Sequence, residues 1–100
     1  MTTIPTEAEI RAECERLGVV PDEISIGDLY ATIRIRQWDL YIESRTTHLS
    51  WDLCRDDHTV DTSLLSTGTT WRDGLRISRD RIRDEVRATA AAVGLRVDGE

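Results

Sequence analysis

The chain has 100 residues, of which 39% are hydrophobic and 32% are charged, and its net charge is −6. This length is one domain's worth of chain, and three Trp among many Ile, Leu and Val residues exclude a disordered polymer. The net charge opposes general attraction to nucleic acid and anionic membranes, and no apolar run approaches the roughly 18 residues of a membrane span.

The charge is unevenly distributed along the chain. Residues 1–33 carry a net charge of −5, residues 34–70 carry −2, residues 71–96 carry +3 and residues 97–100 carry −2. All 13 basic residues are Arg, and Lys, Asn and Phe are absent. This composition indicates GC-rich coding, as in an actinobacterium or one of its phages, and selection for guanidinium chemistry is the alternative explanation.

The N-terminal sequence MTTIPTEAEI has neither the basic n-region nor the apolar h-region of a signal peptide. We therefore expect a cytoplasmic protein whose only cysteines, Cys14 and Cys54, are reduced. We expect one domain over residues 1–100, with disordered ends at 1–4 and 97–100.

Residues 6–17 have the pattern of an amphipathic helix. Thr6 and Glu9 have the spacing of a capping box, and Gly18 is a natural C-terminal stop. Ile10, Cys14 and Leu17 form one narrow apolar stripe. The helix is too polar to lie at the centre of a core, so we expect it to cover one. Pro21 and Asp22 then indicate a turn.

Residues 29–54 have the alternation of β-strands. The apolar positions are Ala31, Ile33, Ile35, Trp38, Leu40 and Ile42, and then Leu49, Trp51 and Leu53 after a polar break at 44–47. The parity changes near Arg36-Gln37, which predicts a bulge or a short turn there. A helix over residues 28–42 is the rival interpretation, but it would spread apolar residues around most of its circumference.

The region from residue 55 to residue 77 is less regular. Residues 55–58 predict a turn, residues 60–65 a further strand with Leu64 and Leu65 buried, and residues 66–70 a flexible polar loop. Asp73-Gly74 fits either a two-residue hairpin turn or a loop that enters a helix.

Residues 78–93 have the clearest helical pattern in the chain. Ser78 is the predicted N-cap, and Asp80 suits the positive end of the helix dipole. The residues predicted to face inward are Ile82, Val86, Ala90 and Val93, and Gly94 ends the helix.

These elements predict an α+β fold. A three- to four-stranded antiparallel meander is covered on one face by the N- and C-terminal helices. The expected core centre is Trp38, Leu40, Ile42, Leu49, Trp51, Leu53, Ile82 and Val86.

The sequence predicts no metal site, cofactor or catalytic group. The only cluster of metal-ligand residue types is His48, Cys54 and His58 with Asp56, Asp57 and Asp61 nearby, but extended-strand geometry separates His48 from Cys54 by roughly 20 Å. Cys54 beside Arg55, with His58 nearby, lacks a third group to complete a catalytic triad.

Two surfaces are predicted to bind a partner. Arg79, Arg83 and Arg87 recur every four residues and form a cationic strip that suits an acidic protein surface or phosphates, and a solvated face neutralised by nearby acids is the alternative. Arg34, Arg36 and Tyr41 are expected on the sheet face opposite the core, where Tyr and Arg are favoured interface residues.

These features favour a non-enzymatic accessory protein that acts by protein–protein interaction, such as an inhibitor, an immunity or antitoxin-like protein, or an adaptor. The partner is unidentified, and a homodimer through a sheet edge is also open. The alternative function is nucleic-acid binding through the Arg-rich C-terminal helix, although the net charge disfavours it. An enzymatic or a structural role, such as virion assembly, fits the sequence less well.

Overall fold

A computed structural model describes residues 3–45, 47–63 and 69–92. It contains a five-stranded antiparallel sheet and two helices. The predicted α+β fold is therefore confirmed, although the sheet has five strands and not the three or four predicted. The elements are α1 (Glu7–Leu17), β1 (Glu23–Ile26), β2 (Tyr30–Ile35), β3 (Trp38–Ser44), β4 (Leu49–Arg55), β5 (His58–Thr62) and α2 (Trp71–Ala92). Within the described ranges, neither helix has the length and apolar character that crossing a membrane requires.

The first helix begins and ends as its sequence predicts. The Glu9 N–H donates to the Thr6 hydroxyl and the Thr6 N–H donates to the Glu9 carboxylate, each at 3.1 Å, which completes the capping box. At the other end Gly18 adopts a left-handed conformation with φ 73°. The Val19 N–H then donates to the Cys14 carbonyl at 2.8 Å, which is the bond of a Schellman motif.

The strands form a simple meander in the order β1-β2-β3-β4-β5, with every neighbouring pair antiparallel. The parity change predicted near Arg36-Gln37 is a two-residue turn, because Ile35 pairs directly with Trp38. The predicted turn around Asp56-Asp57 is also confirmed, since it joins β4 to β5. The rival helix over residues 28–42 is wrong.

The additional strand is β1, which has no counterpart among the predicted elements. Its residues Ile24 and Ile26 pair with Ile33 and Ala31 of β2 and lie on the same side of the sheet as these core residues. A strand of four residues gives only two apolar positions, too few for alternation alone to identify it. The strand predicted over residues 60–65 exists as β5, but Leu64 and Leu65 lie outside the described residues.

Both helices cover one face of the sheet, and the core lies between them and the strands. Of the predicted core centre, Trp38, Leu40, Ile42, Trp51 and Leu53 are buried, whereas Leu49 and Ile82 are only partly buried. The prediction for Val86 is wrong, because 44% of this residue is exposed. The buried residues absent from that list include Ile10, Cys14, Ala31, Ile33, Ile35, Trp71 and Leu75.

The second helix begins seven residues earlier than predicted. The carboxylate of Asp73 accepts hydrogen bonds from the backbone N–H of Thr70 at 2.7 Å and from its hydroxyl at 3.2 Å. This arrangement is the N3-to-N-cap half of a capping box, with Asp73 at N3. Asp73-Gly74 is therefore neither a hairpin turn nor an entry loop. Ser78 is not an N-cap, and its buried hydroxyl donates to the Gly74 carbonyl within the helix at 2.8 Å.

The early start places Gly74 against the sheet. A Cβ atom at this position would lie 3.0 Å from the Trp51 ring and 3.2 Å from Leu40 Cδ1. The helix backbone therefore approaches the strands closely at its N-terminal half, which supplies its buried residues Trp71, Gly74, Leu75 and Ser78. No residue between Arg79 and Ala92 is fully buried, so the second half of α2 keeps an accessible flank.

Candidate partner-binding groove

A groove of about 470 Å³ lies along the accessible flank of α2. We call it the arginine groove. Its walls are the residues that follow α1, the turn between β2 and β3, and the C-terminal half of α2. The lining residues are Gly18, Val19, Val20, Ile35, Arg36, Arg79, Ile82, Arg83, Val86 and Arg87.

Three local features of the sequence position this lining. The left-handed Gly18 turns the chain at the end of α1, so that Val19 and Val20 follow at the rim. The two-residue turn after β2 brings Arg36 to the same place. On α2, residues 79, 83 and 87 form a cationic row beside an apolar row of residues 82 and 86, because positions four apart share one helix face.

The guanidinium groups in the groove are distinguished by their lack of internal partners. In the described part of the chain, three arginines have no carboxylate within ion-pair distance, namely Arg36, Arg83 and Arg87, and all three line the groove. The fourth, Arg79, is paired with Asp80 at 3.1 Å. The groove therefore carries positive charges that no described carboxylate pairs with, although the net charge of the protein is −6.

The floor and rim of the groove between these cations are aliphatic. Val20 is 82% exposed and Val86 is 44% exposed, while Ile35 and Ile82 lie deeper. A second depression, of about 460 Å³, shares Gly18, Val19 and Val20 with the arginine groove and extends towards α1. An exposed valine between two depressions is accessible to an apolar group of a partner from either side.

The backbone at Arg36 adopts a conformation that is unusual for its residue type. Its φ is 57°, and it is the first residue of a two-residue hairpin turn in which Gln37 has no positive φ. Positive φ at the first position alone is the pattern of a type II′ turn, which normally has Gly there. An L-residue with a Cβ is destabilised by about 1 kcal/mol in this region. Arg36 thus lines the groove from a strained backbone position.

The predicted partner-binding residues divide between two faces. Arg36, Arg79, Arg83 and Arg87 meet in the arginine groove. Arg34 and Tyr41 lie on the opposite face of the sheet, as predicted, and line a separate depression. The expected position of Arg36 beside them is wrong, because the chain turns at this residue and Arg36 lines the helix-side groove instead.

The residues with metal-ligand or nucleophile chemistry lie elsewhere. Cys54 is partly exposed, with its sulfur 3.7 Å from the Thr59 hydroxyl, and both His48 and His58 are exposed. Over the described ranges, no three His, Cys, Asp or Glu residues are grouped so that they could hold a metal ion. The arginine groove itself is lined by cations and aliphatic groups, which suit binding rather than proton transfer.

Sequence reasoning found the cationic row of α2 but missed the aliphatic half of the groove. The sequence pattern predicts Val19 and Val20 only as a connection leading away from α1. Two adjacent valines after a helix-stopping glycine would have been the available signal, because adjoining apolar groups at a surface can mark a binding site.

Comparisons of the chain with protein-family models, with curated proteins and with solved structures find no match of any of the three kinds.

Proposed function

We propose that this chain is a non-enzymatic accessory protein that binds a partner protein through the arginine groove. The observation that carries the proposal is the convergence of Arg36, Arg83 and Arg87, the arginines without a described carboxylate partner, around an aliphatic floor. The two free cysteines support a reducing, cytoplasmic setting.

The chemistry of the groove defines the segment that it would take. Arg83 and Arg87 are one helical turn apart, about 6 Å along the axis, and Ile82 and Val86 run beside them with the same spacing. A partner helix with carboxylates every fourth residue beside an apolar row matches both rows at once. Such a segment would pair each cation and bury the aliphatic residues.

Nucleic acid fits the same surface less well. Phosphates would pair with the arginines, but the aliphatic floor offers no aromatic ring on which a base could stack. The net charge of −6 would also repel the rest of a polyanion. A second copy of α2 is equally disfavoured, because its arginine row would face an identical one.

The test uses a fluorescein-labelled amphipathic helical peptide with Glu at every fourth position beside an Ile/Leu row, and the same peptide with Gln for Glu. Binding is measured by fluorescence anisotropy at low and at high salt concentration. We expect the Glu peptide to bind at least about tenfold more tightly than the Gln peptide, a difference of roughly 1.4 kcal/mol. We also expect its affinity to fall at the higher salt concentration.

Matched variants locate the binding. Arg83→Gln and Arg34→Gln remove the same charge from opposite faces, so only the first should weaken binding, by about tenfold as expected for one charge-assisted contact. Val20→Ser removes an exposed methyl pair and should weaken binding without unfolding the protein. Equal losses in Arg83→Gln and Arg34→Gln would reject the groove, and tighter binding of a DNA duplex than of the Glu peptide would favour the nucleic-acid alternative.

A further inference from the structure

The face of the sheet opposite the helices is largely accessible in the described structure, although Ser50 on this face is only 2% exposed. We call it the open face. The strand register places its side chains, since residues on this face alternate with those of the core. The open face carries Glu23, Ser25, Tyr30, Thr32, Arg34, Asp39, Tyr41, Glu43, Asp52 and Cys54. Its residues are distinct from those of the arginine groove.

Two exposed tyrosines are neighbours on this face. Tyr30 is paired with Glu43 and Thr32 is paired with Tyr41, so the two tyrosines are diagonal cross-strand neighbours. Their exposed fractions are 55% for Tyr30 and 38% for Tyr41. Tyrosines exposed to this extent on one face offer two adjacent ring faces to a partner.

The ring of Tyr30 lies against the backbone of a glycine, Gly27. A Cβ atom at Gly27 would lie 2.7 Å from Cε1 of Tyr30, so the ring lies directly against the glycine backbone. Any other residue at position 27 would displace it. The ring is therefore more than half exposed, and it lies in space that is available only because residue 27 is glycine.

Depressions lie on both sides of Tyr41. One, of about 400 Å³, is shared with Tyr30 and Glu43. The other, of about 220 Å³, is shared with Arg34, Asp39 and Glu23. Each depression therefore combines an aromatic wall with at least one carboxylate, and a long side chain can enter either from solvent.

The electrostatic balance of this face is negative. The four carboxylates of Glu23, Asp39, Glu43 and Asp52 outnumber the two cations at this face, Arg34 and Arg45. Burial and the neighbouring carboxylate of Asp39 raise the pKa of the Tyr41 hydroxyl. Ion pairs hold Asp39 to Arg34 at 3.8 Å and Glu43 to Arg45 at 3.5 Å, distances that leave lone pairs for another donor.

We propose that the open sheet face is a second binding site, which takes arginine side chains from a basic segment of another protein. A guanidinium would lie over the rings of Tyr30 and Tyr41 and donate to Glu43 or Asp39. Together with the arginine groove on the helix side, this site would let the domain bridge two partners of opposite charge. The second site stands on its own residues and does not depend on the first.

The test uses a short Gly/Ser peptide with four arginines and a matched peptide with citrulline, which keeps the shape of arginine but is neutral. Binding is followed by isothermal titration calorimetry and by the NMR shifts of the tyrosine rings. We expect the arginine peptide to bind at least about tenfold more tightly than the citrulline peptide and to shift the resonances of Tyr30 and Tyr41. Equal binding of the two peptides would overturn the proposal.

Variants separate an aromatic site from general attraction to an acidic protein. Tyr41→Phe keeps the ring and should bind within about twofold of the original chain, whereas Tyr41→Leu should lose about fivefold or more. Tyr30→Leu is the second variant, should Tyr41→Leu fail to fold by circular dichroism. Arg83→Gln, in the arginine groove, is the control and should bind the arginine peptide unchanged.

Two outcomes would reject this site whatever the result for the groove. In the first, leucine substitution of Tyr30 and of Tyr41 leaves arginine-peptide binding unchanged. In the second, analytical ultracentrifugation shows a dimer that Tyr41→Leu converts to a monomer, in which case a second copy of the chain occupies the open face. Loss of acidic-peptide binding in Arg83→Gln, with arginine-peptide binding retained, would show that the two sites are independent.

Discussion

Arg55 and Glu85 are joined by an ion pair with 2.9 Å between Nε and Oε2, which connects the end of β4 to the middle of α2. The Arg55 guanidinium also lies 5.8 Å from the centre of the Trp38 ring and 2.8 Å from the Asp56 carboxylate. The contact therefore fastens the half of α2 that is not buried in the core and that carries the cationic row of the groove.

We expect Glu85→Gln to lower the free energy of unfolding by about 0.5–1 kcal/mol, because the pair is partly exposed and surface ion pairs contribute modestly. Urea denaturation followed by tryptophan fluorescence measures the change. The control is Asp84→Asn, which removes the same charge from an exposed neighbour that is in no ion pair with a described residue. Equal effects of the two substitutions would mean that the charge matters and the contact does not.

The nearly buried carboxylate of Glu13 makes stability depend on pH. Hydrogen bonding from the Arg16 guanidinium, aided by the charges of Arg16 and Arg72, lowers the pKa of Glu13 from its ordinary value of 4.5. The unfolded chain therefore takes up this proton at a higher pH than the folded chain does. The contribution to stability is complete above the unfolded pKa and disappears as the pH falls through the folded pKa.

Glu13→Gln should therefore be less stable than the original chain at neutral pH, by about 1–2 kcal/mol for a charge-assisted hydrogen bond, and the difference should shrink as the pH falls below 4.5, the ordinary pKa of this group. Chemical denaturation at neutral, mildly acidic and strongly acidic pH gives the comparison. Glu15→Gln, at an exposed position on the same helix, serves as the control and should show little difference at any of these pH values. If the free energy of unfolding of Glu13→Gln were lower than that of the original chain by the same amount at every pH, the ionised Glu13 carboxylate would not be the source of the difference.

The two thiols should differ sharply in reactivity. Cys14 is only 1% exposed, and burial raises the pKa of its thiol, so neither access nor ionisation favours attack. Cys54 is partly exposed on the open sheet face. Iodoacetamide at mildly alkaline pH should modify Cys54 in the native protein and Cys14 only after unfolding in urea, as read by peptide mass spectrometry. Comparable native labelling of both would mean that α1 opens readily from the core.

The predictable parts of the fold were those with long, periodic patterns. The capping box of Thr6 and the alternation through Trp38 and Trp51 each specify their element locally, so the sequence predicted α1, β3 and β4 with small errors in their ends. The β1 strand depends instead on pairing with β2, since Ile24 and Ile26 form too short a series to identify alone. Tertiary pairing decides such a strand, and no local rule reveals it.

The sequence predicted the part of the arginine groove that lies on α2, but not the parts that other elements contribute. The row of Arg79, Arg83 and Arg87 follows from helical spacing alone, whereas the meeting of this row with Arg36 and Val20 depends on three separate elements. The sequence also predicted Arg36 on the wrong face, because extending the strand alternation past Ile35 ignores the reversal of the chain there. Convergence of distant residues is a property of the topology, which the local pattern does not contain.

The early start of α2 gives a direct test of the corrected helix boundary. Asp73 accepts two hydrogen bonds from Thr70 at the N-terminus of the helix, whereas Asp80 lies well inside it. Asp73→Ala should therefore cost about 1 kcal/mol, the usual value of a cap, and Asp80→Ala should cost less than about 0.5 kcal/mol. Thermal or urea unfolding measures both. The reverse order would place the helix start at Ser78, as the sequence pattern predicts.

The strain at Arg36 predicts a variant that gains stability while it loses binding. Glycine has no Cβ to clash at φ 57°, and it keeps the backbone N–H that donates to the Asp22 carboxylate at 2.7 Å. Relief of strain should exceed the entropic cost of a more flexible unfolded chain, so we expect Arg36→Gly to unfold at higher urea, by up to about 1 kcal/mol. Gln37→Gly, next to it but without a positive φ, should destabilise the chain by about 0.5–1 kcal/mol. If Arg36→Gly were instead less stable than the original chain, the arginine side chain would stabilise the fold. Folding alone would then account for an arginine at this position, without a role in binding a partner.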